Sequence, residues 1–286
     1  MEKMKMNWRP LIEMPKNVPS ASFVTDKAFV DEYKGIVESD FDDAKVLKVI
    51  GYSDGVAKGS NPFAVVLANS IASQQGYRVA NQAELEKALS LNALPLQGQY
   101  EDTALVLRSE SNPNQYLAQN LAEQVRKRGF NLNNPLVIPL SGLELVKDST
   151  SEHGLAFKLT DKSQIIVAPI LASQNGSYID SYQMNKDTGL PTAVFPKPTS
   201  GNRQLLTRDS GLSRLYLDSN LNVNSCNGGL AISDDYGRVV LVSGEATGAD
   251  FLREYQQKLE AKLQSRKSEL DKWFANSMAQ MPKGKN

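Results

Sequence analysis

The chain has 286 residues, enough for one large domain or two small ones, and 41% of them are apolar, enough to bury a sizeable core. Its formal net charge of +0 lacks the basic excess by which a nucleic-acid binder neutralises phosphates. One cysteine rules out an intrachain disulfide, and with a single histidine it cannot complete a structural zinc site of the usual ligands.

Residues 1–22 are rich in proline and carry charges where a signal peptide needs an apolar stretch. Apolar runs such as FAVVLA are far shorter than the roughly 18–20 residues of a membrane span. These features, with the low cysteine count, lead to the expectation of a cytoplasmic protein with no membrane partner. In residues 25–39, Phe29, Val30, Tyr33, Ile36 and Val37 make one apolar helical face, which Thr25 or Asp26 can cap. The acidic stretch 38–43 reads as a solvated connector.

Residues 46–52 read as a strand, followed by the loop SDGVAKGSNP and a helix from Phe63 to Gly76. Pro62 suits the first turn and Ser60 or Asn61 the cap. YRVA is a strand, and NQAELEKALS a helix capped by Asn81. Residues 103–109 form a strand, 111–129 a helix, and 135–142 another strand. This β–α–β–α–β–α–β alternation predicts an α/β fold with a mostly parallel sheet flanked by helices.

The second half predicts a β-rich continuation. Two strands join around Asp161–Lys162–Ser163, an irregular insertion occupies about 173–203, and strands follow near RQLLTR, SRLYLDS, NLNVNSC and GRVVLVSG. A long C-terminal helix is expected from the stripe Leu252, Tyr255, Leu259, Leu263, Leu270, Trp273 and Phe274. The expected organisation is an arm and short helix at 1–45, one α/β domain at 46–250, and an amphipathic helix and tail at 251–286. The distal Leu270, Trp273, Phe274 and Met278 could pair with a second copy, making a non-catalytic interaction protein a third functional reading.

Helix N-termini present free N–H groups and favour anions. The loop holding Gly55, Lys58, Gly59, Ser60 and Asn61 is therefore the first candidate site, with Ser109 and Asn112 of the second strand–SNP–helix segment beside it. It matches neither G-x-G-x-x-G nor G-x-x-x-x-G-K-[ST], so no nucleotide cofactor is implied. The first functional reading is a protein that binds a small anionic ligand or phosphate at these loops. In the alternative structural reading they are ordinary loops with no ligand.

His153 and Cys226 are the second candidate, because a thiolate nucleophile needs a base or ion-pair partner. The strings Glu152–His153–Gly154 and Ser225–Cys226–Asn227–Gly228–Gly229 resemble those of metacaspase-type cysteine peptidases, in the same order. That resemblance implies a cysteine hydrolase on an α/β sheet. The polar strand before Cys226 and the loop-like setting of His153 point instead to a surface histidine and a half-buried thiol. Asp218, Asn220, Asn222 and Asn224 mimic the start of a calcium loop, but Val223 and Gly229 occupy the positions that need glycine and glutamate. They are read as a strand with a polar face, and no metal is assigned. No G-x-S-x-G elbow occurs. Arg208, Asp209 and Arg214 read as an ion-pair cluster or a polar site.

Overall fold

The computed structural model describes residues 21–172, 175–178, 184–195, 203–243 and Lys267. The described residues from 21 to 243 belong to one compact unit. The expected long C-terminal helix and its distal contact residues lie outside the described residues, apart from Lys267.

The chain opens with β1 (Ala21–Phe23) and α1 (Lys27–Asp40), whose N-terminus is capped by Asp26 Oδ1 accepting from the Ala28 amide at 2.9 Å. A hairpin of β2 (Gly51–Ser53) and β3 (Val56–Lys58) follows. Then come α2 (Pro62–Gln74), β4 (Tyr77–Val79), α3 (Gln82–Ser90), β5 (Tyr100–Leu107), α4 (Gln115–Lys127) and β6 (Leu136–Pro139). The second half supplies β7 (Leu143–Lys147), β8 (Leu155–Leu159), β9 (Ile166–Val167), β10 (Gly176–Tyr178), β11 (Arg203–Leu206), β12 (Leu212–Leu217), β13 (Val223–Asn224), β14 (Gly237–Arg238) and β15 (Val240–Ser243).

The expected mostly parallel sheet is not what forms. The largest sheet runs β10-β11-β13-β12-β5-β6-β9, with β14 also beside β5. Among its described ladders only β11–β13 and β14–β5 are parallel. The others, including β5 with both β12 and β6, are antiparallel. Two physical reasons account for the difference. Residues 46–52 do not form one strand: 45–47 make a 3₁₀ turn, and 51–58 fold back on Asp54 and Gly55, both at positive φ as a two-residue hairpin turn requires. YRVA pairs with β15 in a separate three-stranded sheet, β1-β15-β4, so α2 and α3 are not crossovers between neighbours of one sheet. Among the described α-helices only α4 joins adjacent strands of the main sheet, and those strands are antiparallel.

α2 is buried on nearly every side, as an all-apolar helix must be. It packs with α1 and α4 on the face of the main sheet that carries Leu105, Leu107, Ile138 and Leu212. The opposite face holds a second core around Ala104, Val106, Val137, Leu205 and Leu215. In NLNVNSC the expected strand shrinks to β13, because Asp218 Oδ1 accepts from the Asn220 and Asn222 amides and closes a turn.

The ladder between β5 and β12 slips by one residue at Leu215/Tyr216: Ala104 faces Leu215, and Asp102 faces Tyr216. The extra residue in β5, a β-bulge, puts Asp102 on the same face as Arg214. There the two form a bidentate pair, with Arg214 Nε 2.6 Å from Asp102 Oδ1 and Nη2 on Oδ2. Both side chains are essentially sealed from solvent, at 2% and 0% exposure. Removing one member would strand the other charge in the interior. Asp102→Ala is therefore expected to cost about 3–5 kcal/mol in urea unfolding. The exposed Lys27–Asp31 pair should cost nothing measurable when Asp31 is replaced. A loss below about 1 kcal/mol for Asp102→Ala would contradict the assignment.

Candidate functional site

The first sequence-predicted loop is filled from within. Gly55 sits in the hairpin turn, and Lys58 Nζ is 2.5 Å from Asp54 Oδ2. Gly59 adopts φ +96, and a Cβ there would lie 2.1 Å from the Val49 carbonyl oxygen. Ser60 and Asn61 are fully buried. Ser60 Oγ donates to Asp102 Oδ2 at 2.7 Å, and its amide donates to Ser233 Oγ at 3.0 Å. Asn61 Oδ1 caps α2 by accepting from the Ala64 amide at 2.8 Å. The donors that would meet an anion already face protein oxygens.

The second loop is more open. α4 begins after Asn114, which has left-handed backbone geometry and no side-chain capping bond. Its Nδ2 instead donates to the carbonyls of Leu212 and Gly228, each at 2.7 Å. Ser109 and Ser111 share a hydrogen bond of 2.7 Å at the surface, and Ser109 Oγ accepts from the Gly211 amide at 2.9 Å. The Asn112 carbonyl accepts from Ser210 Oγ at 3.1 Å. Both loops meet residues 226–237, since Asn61 Nδ2 donates to the Ala231 carbonyl at 3.4 Å.

Two arginines that the sequence did not join come together at this second loop. Arg108 directly follows β5, on the face opposite Arg214, and is 7% exposed. Its Nη1 donates to Ser213 Oγ at 2.8 Å, and its Nη2 to Thr207 Oγ1 at 2.9 Å and Ser225 Oγ at 2.8 Å. Its Nε has no partner. All three hydroxyls pass their own protons to backbone carbonyls, of Ser225, Leu171 and Leu206. Among the described residues no carboxylate hydrogen-bonds this guanidinium, and Asp209 acts on it only through space. Burial, with Arg208 nearby, pushes it down to about 10, so it stays charged at neutral pH. Arg208 bonds the carbonyls of Ser210 and Cys226, at 3.0 and 2.9 Å. A Cβ on Gly228 would lie 2.9 Å from Arg208 Nη1 and 2.6 Å from Pro113 Cγ. The start of α4, the Ser109–Pro113 loop and Arg208 thus converge on Gly228.

His153 lies elsewhere. It sits in the β7–β8 connection, edge-on to Phe63 at 5.3 Å, and lines an open cleft of about 580 Å³ with Asp43, Lys147, Asp148 and Glu152. Cys226 follows β13, and its thiol donates to Asn224 Oδ1 at 3.2 Å. No hydrogen bond joins the two side chains, and burial raises the thiol rather than activating it. Arg214, grouped by sequence with Arg208 and Asp209, belongs instead to Asp102.

The sequence carried one unread signal. YEDTALVL places two adjacent acids in a strand buried at every position. Asp102 is explained by Arg214. Glu101 has no partner for either carboxylate oxygen. Burial, reinforced by Asp102 and opposed by Arg238, pushes it up to about 8. Among the described residues no group of three or more His, Cys, Asp or Glu side chains could hold a metal ion, and no helix is long and apolar enough to cross a membrane.

Compared with protein-family models, curated proteins and solved structures, the chain gives no significant match.

Because burial raises the Cys226 thiol, its alkylation by iodoacetamide should have a pH midpoint above that of a free cysteine. The folded protein should react slowly at pH 7 and gain normal reactivity in denaturant. Rapid alkylation of the folded protein at pH 7 would contradict this.

Proposed function

We propose that this protein binds a small anionic ligand of the phosphate class at the rim formed by Arg208, the Ser109–Asn112 loop and the start of α4. The observation that carries the reading is the buried, charged Arg108, solvated by three hydroxyls, with no carboxylate hydrogen-bonded to it and Asp209 acting on it only through space. A charge taken out of water costs several kcal/mol even after the protein relaxes around it. An anion docked nearby offsets part of that cost, because the intervening interior screens poorly.

Arg208 provides the direct contact, with a planar guanidinium suited to phosphate oxygens. The first turn of α4 adds amide groups that no side chain caps. Ser109 and Ser111 add hydroxyls at the exposed edge. This reading keeps the small-anion class expected from the sequence. It moves the site from the Gly55–Asn61 loop, whose donors are occupied, to the Ser109–Asn112 loop.

The test is thermal unfolding in inorganic phosphate against chloride at equal ionic strength. With a dissociation constant near 1 mM, about 10 mM phosphate should stabilise the protein by roughly 1.4 kcal/mol. Arg208→Gln should abolish that gain, and Lys48→Gln, after the 3₁₀ turn at 45–47 and paired with Asp42, should keep it. No stabilisation of the wild type, or equal stabilisation of Arg208→Gln, would overturn the proposal.

A further inference from the structure

Residues 226–238 cross the molecule as a strap with almost no regular structure. The strap is held by single polar bonds. The carbonyls of Gly228, Ala231 and Ile232 accept from Asn114, Asn61 and Arg214, at 2.7, 3.4 and 2.9 Å. Ser233 Oγ accepts from the Ser60 amide at 3.0 Å, and the Asp234 amide donates to Tyr100 Oη at 3.1 Å. The Tyr236 and Gly237 carbonyls accept from the Tyr100 and Gly59 amides, at 3.1 and 2.9 Å. Apolar anchoring is slight. Leu230 is buried, but Ile232 and Tyr236 are 57% and 64% exposed.

The strap ends in β14, two residues that sit beside the start of β5 with Gly237 opposite Tyr100 and Arg238 opposite Glu101. Three buried polar atoms without partners belong to this short ladder. Both carboxylate oxygens of Glu101 are buried without a donor, and Arg238 Nε, on the strap, is buried without an acceptor. Arg238 spends its Nη1 on the strap's own Asp235 and Gly237 carbonyls, at 2.7 and 2.8 Å. A carboxyl with no donor tolerates burial when neutral and not when charged.

We propose that the 231–238 segment is a pH-gated strap, closed on β5 while Glu101 is protonated and released when Glu101 ionises and must reach water. The charged groups around Glu101 set the direction. Asp102 on its own strand repels a second negative charge. Arg238 on the strap attracts it, and Asp54 on the β2–β3 turn draws on Arg238 in turn. Arg214 on β12 is committed to Asp102. Burial and Asp102 together outweigh Arg238, so Glu101 stays protonated to about 8 in the closed form. In an open form it returns to the ordinary range near 4.5. A group whose closed-state value is raised favours closure below the open-state value, and that advantage is lost as pH rises. The opening constant should therefore grow about tenfold per pH unit between those limits and then level off. Release would uncover the N-terminus of α2, where Ser60 and Asn61 are otherwise sealed.

Hydrogen exchange on the full chain, expressed as protection relative to unstructured amides, tests this. Protection at the amides of Gly59, Tyr100 and Asp234 should fall about tenfold per pH unit from pH 5 to pH 8. These amides should exchange faster than those of β6. Their exchange should also depend little on low urea, because opening a strap exposes little surface. In Glu101→Gln their protection should no longer change with pH. Flat protection in the wild type, or a slope that survives in Glu101→Gln, would overturn the proposal. So would strap amides that match β6 in both protection and urea dependence, a result that needs no variant and means that only global unfolding occurs.

Discussion

The structure is organised around the buried pair of Arg214 and Asp102. A guanidinium and a carboxylate at this depth are tolerable only with near-complete hydrogen bonding, and the protein supplies it from several elements. Asp102 takes two bonds from Arg214 and one from Ser60, which immediately precedes the α2 cap residue. Arg214 also donates to the Ile232 carbonyl of the strap. The rings of Tyr100 and Tyr216 lie 5.1 and 4.8 Å from its guanidinium carbon, close enough for cation–π attraction. One ion pair thereby ties β5, β12, the entrance of α2 and the strap together. It depends on the bulge in β5, since without the extra residue Asp102 would point to the opposite face.

The opposite arrangement stands just past the end of the same strand, six residues after Asp102. Arg108 has hydroxyls where Arg214 has a carboxylate. Ser, Thr and Ser oxygens can solvate a guanidinium but cannot cancel its charge. A second buried pair, Arg203 with Glu86, shows that the fold does neutralise interior arginines on that side of the sheet. The lack of a hydrogen-bonded carboxylate at Arg108, on which Asp209 acts only through space, is thus a local departure. It lies beside the uncapped start of α4 and the half-buried Arg208, two further sources of positive potential, and the functional reading rests on their convergence.

What could be read from the sequence was what is local. Asp26, Asn61 and Asn81 cap their helices, and Asn81 forms the full capping box with Glu84. Such bonds span two or three residues and are written in adjacent letters. Strand pairing is not. Asp54–Gly55 was the strongest short-range sign of a hairpin, yet within SDGVAKGSNP it read as a strand-to-helix loop. Regular alternation of strand and helix suggested parallel neighbours, although β4 and β5 belong to different sheets. Ser109 and Asn112 could be chosen from their SNP-helix context. The arginines that give that loop its charge could not, because the hydroxyls around Arg108 lie 99, 105 and 117 residues away. Glu101 was hidden for a related reason, since a buried carboxyl without a partner leaves no periodic trace.

The central claim is that the charge at Arg108, which no carboxylate hydrogen-bonds among the described residues, makes the neighbouring rim a place for an anion. The most direct measurement is a crystal structure grown with selenate, a tetrahedral oxyanion whose selenium can be located by its anomalous scattering. The account predicts a selenium peak beside Gly228, with selenate oxygens in hydrogen-bonding distance of the Arg208 guanidinium and the first amides of α4. Well-ordered density for that rim with no selenium peak, while selenate occupies other surface arginines, would contradict it.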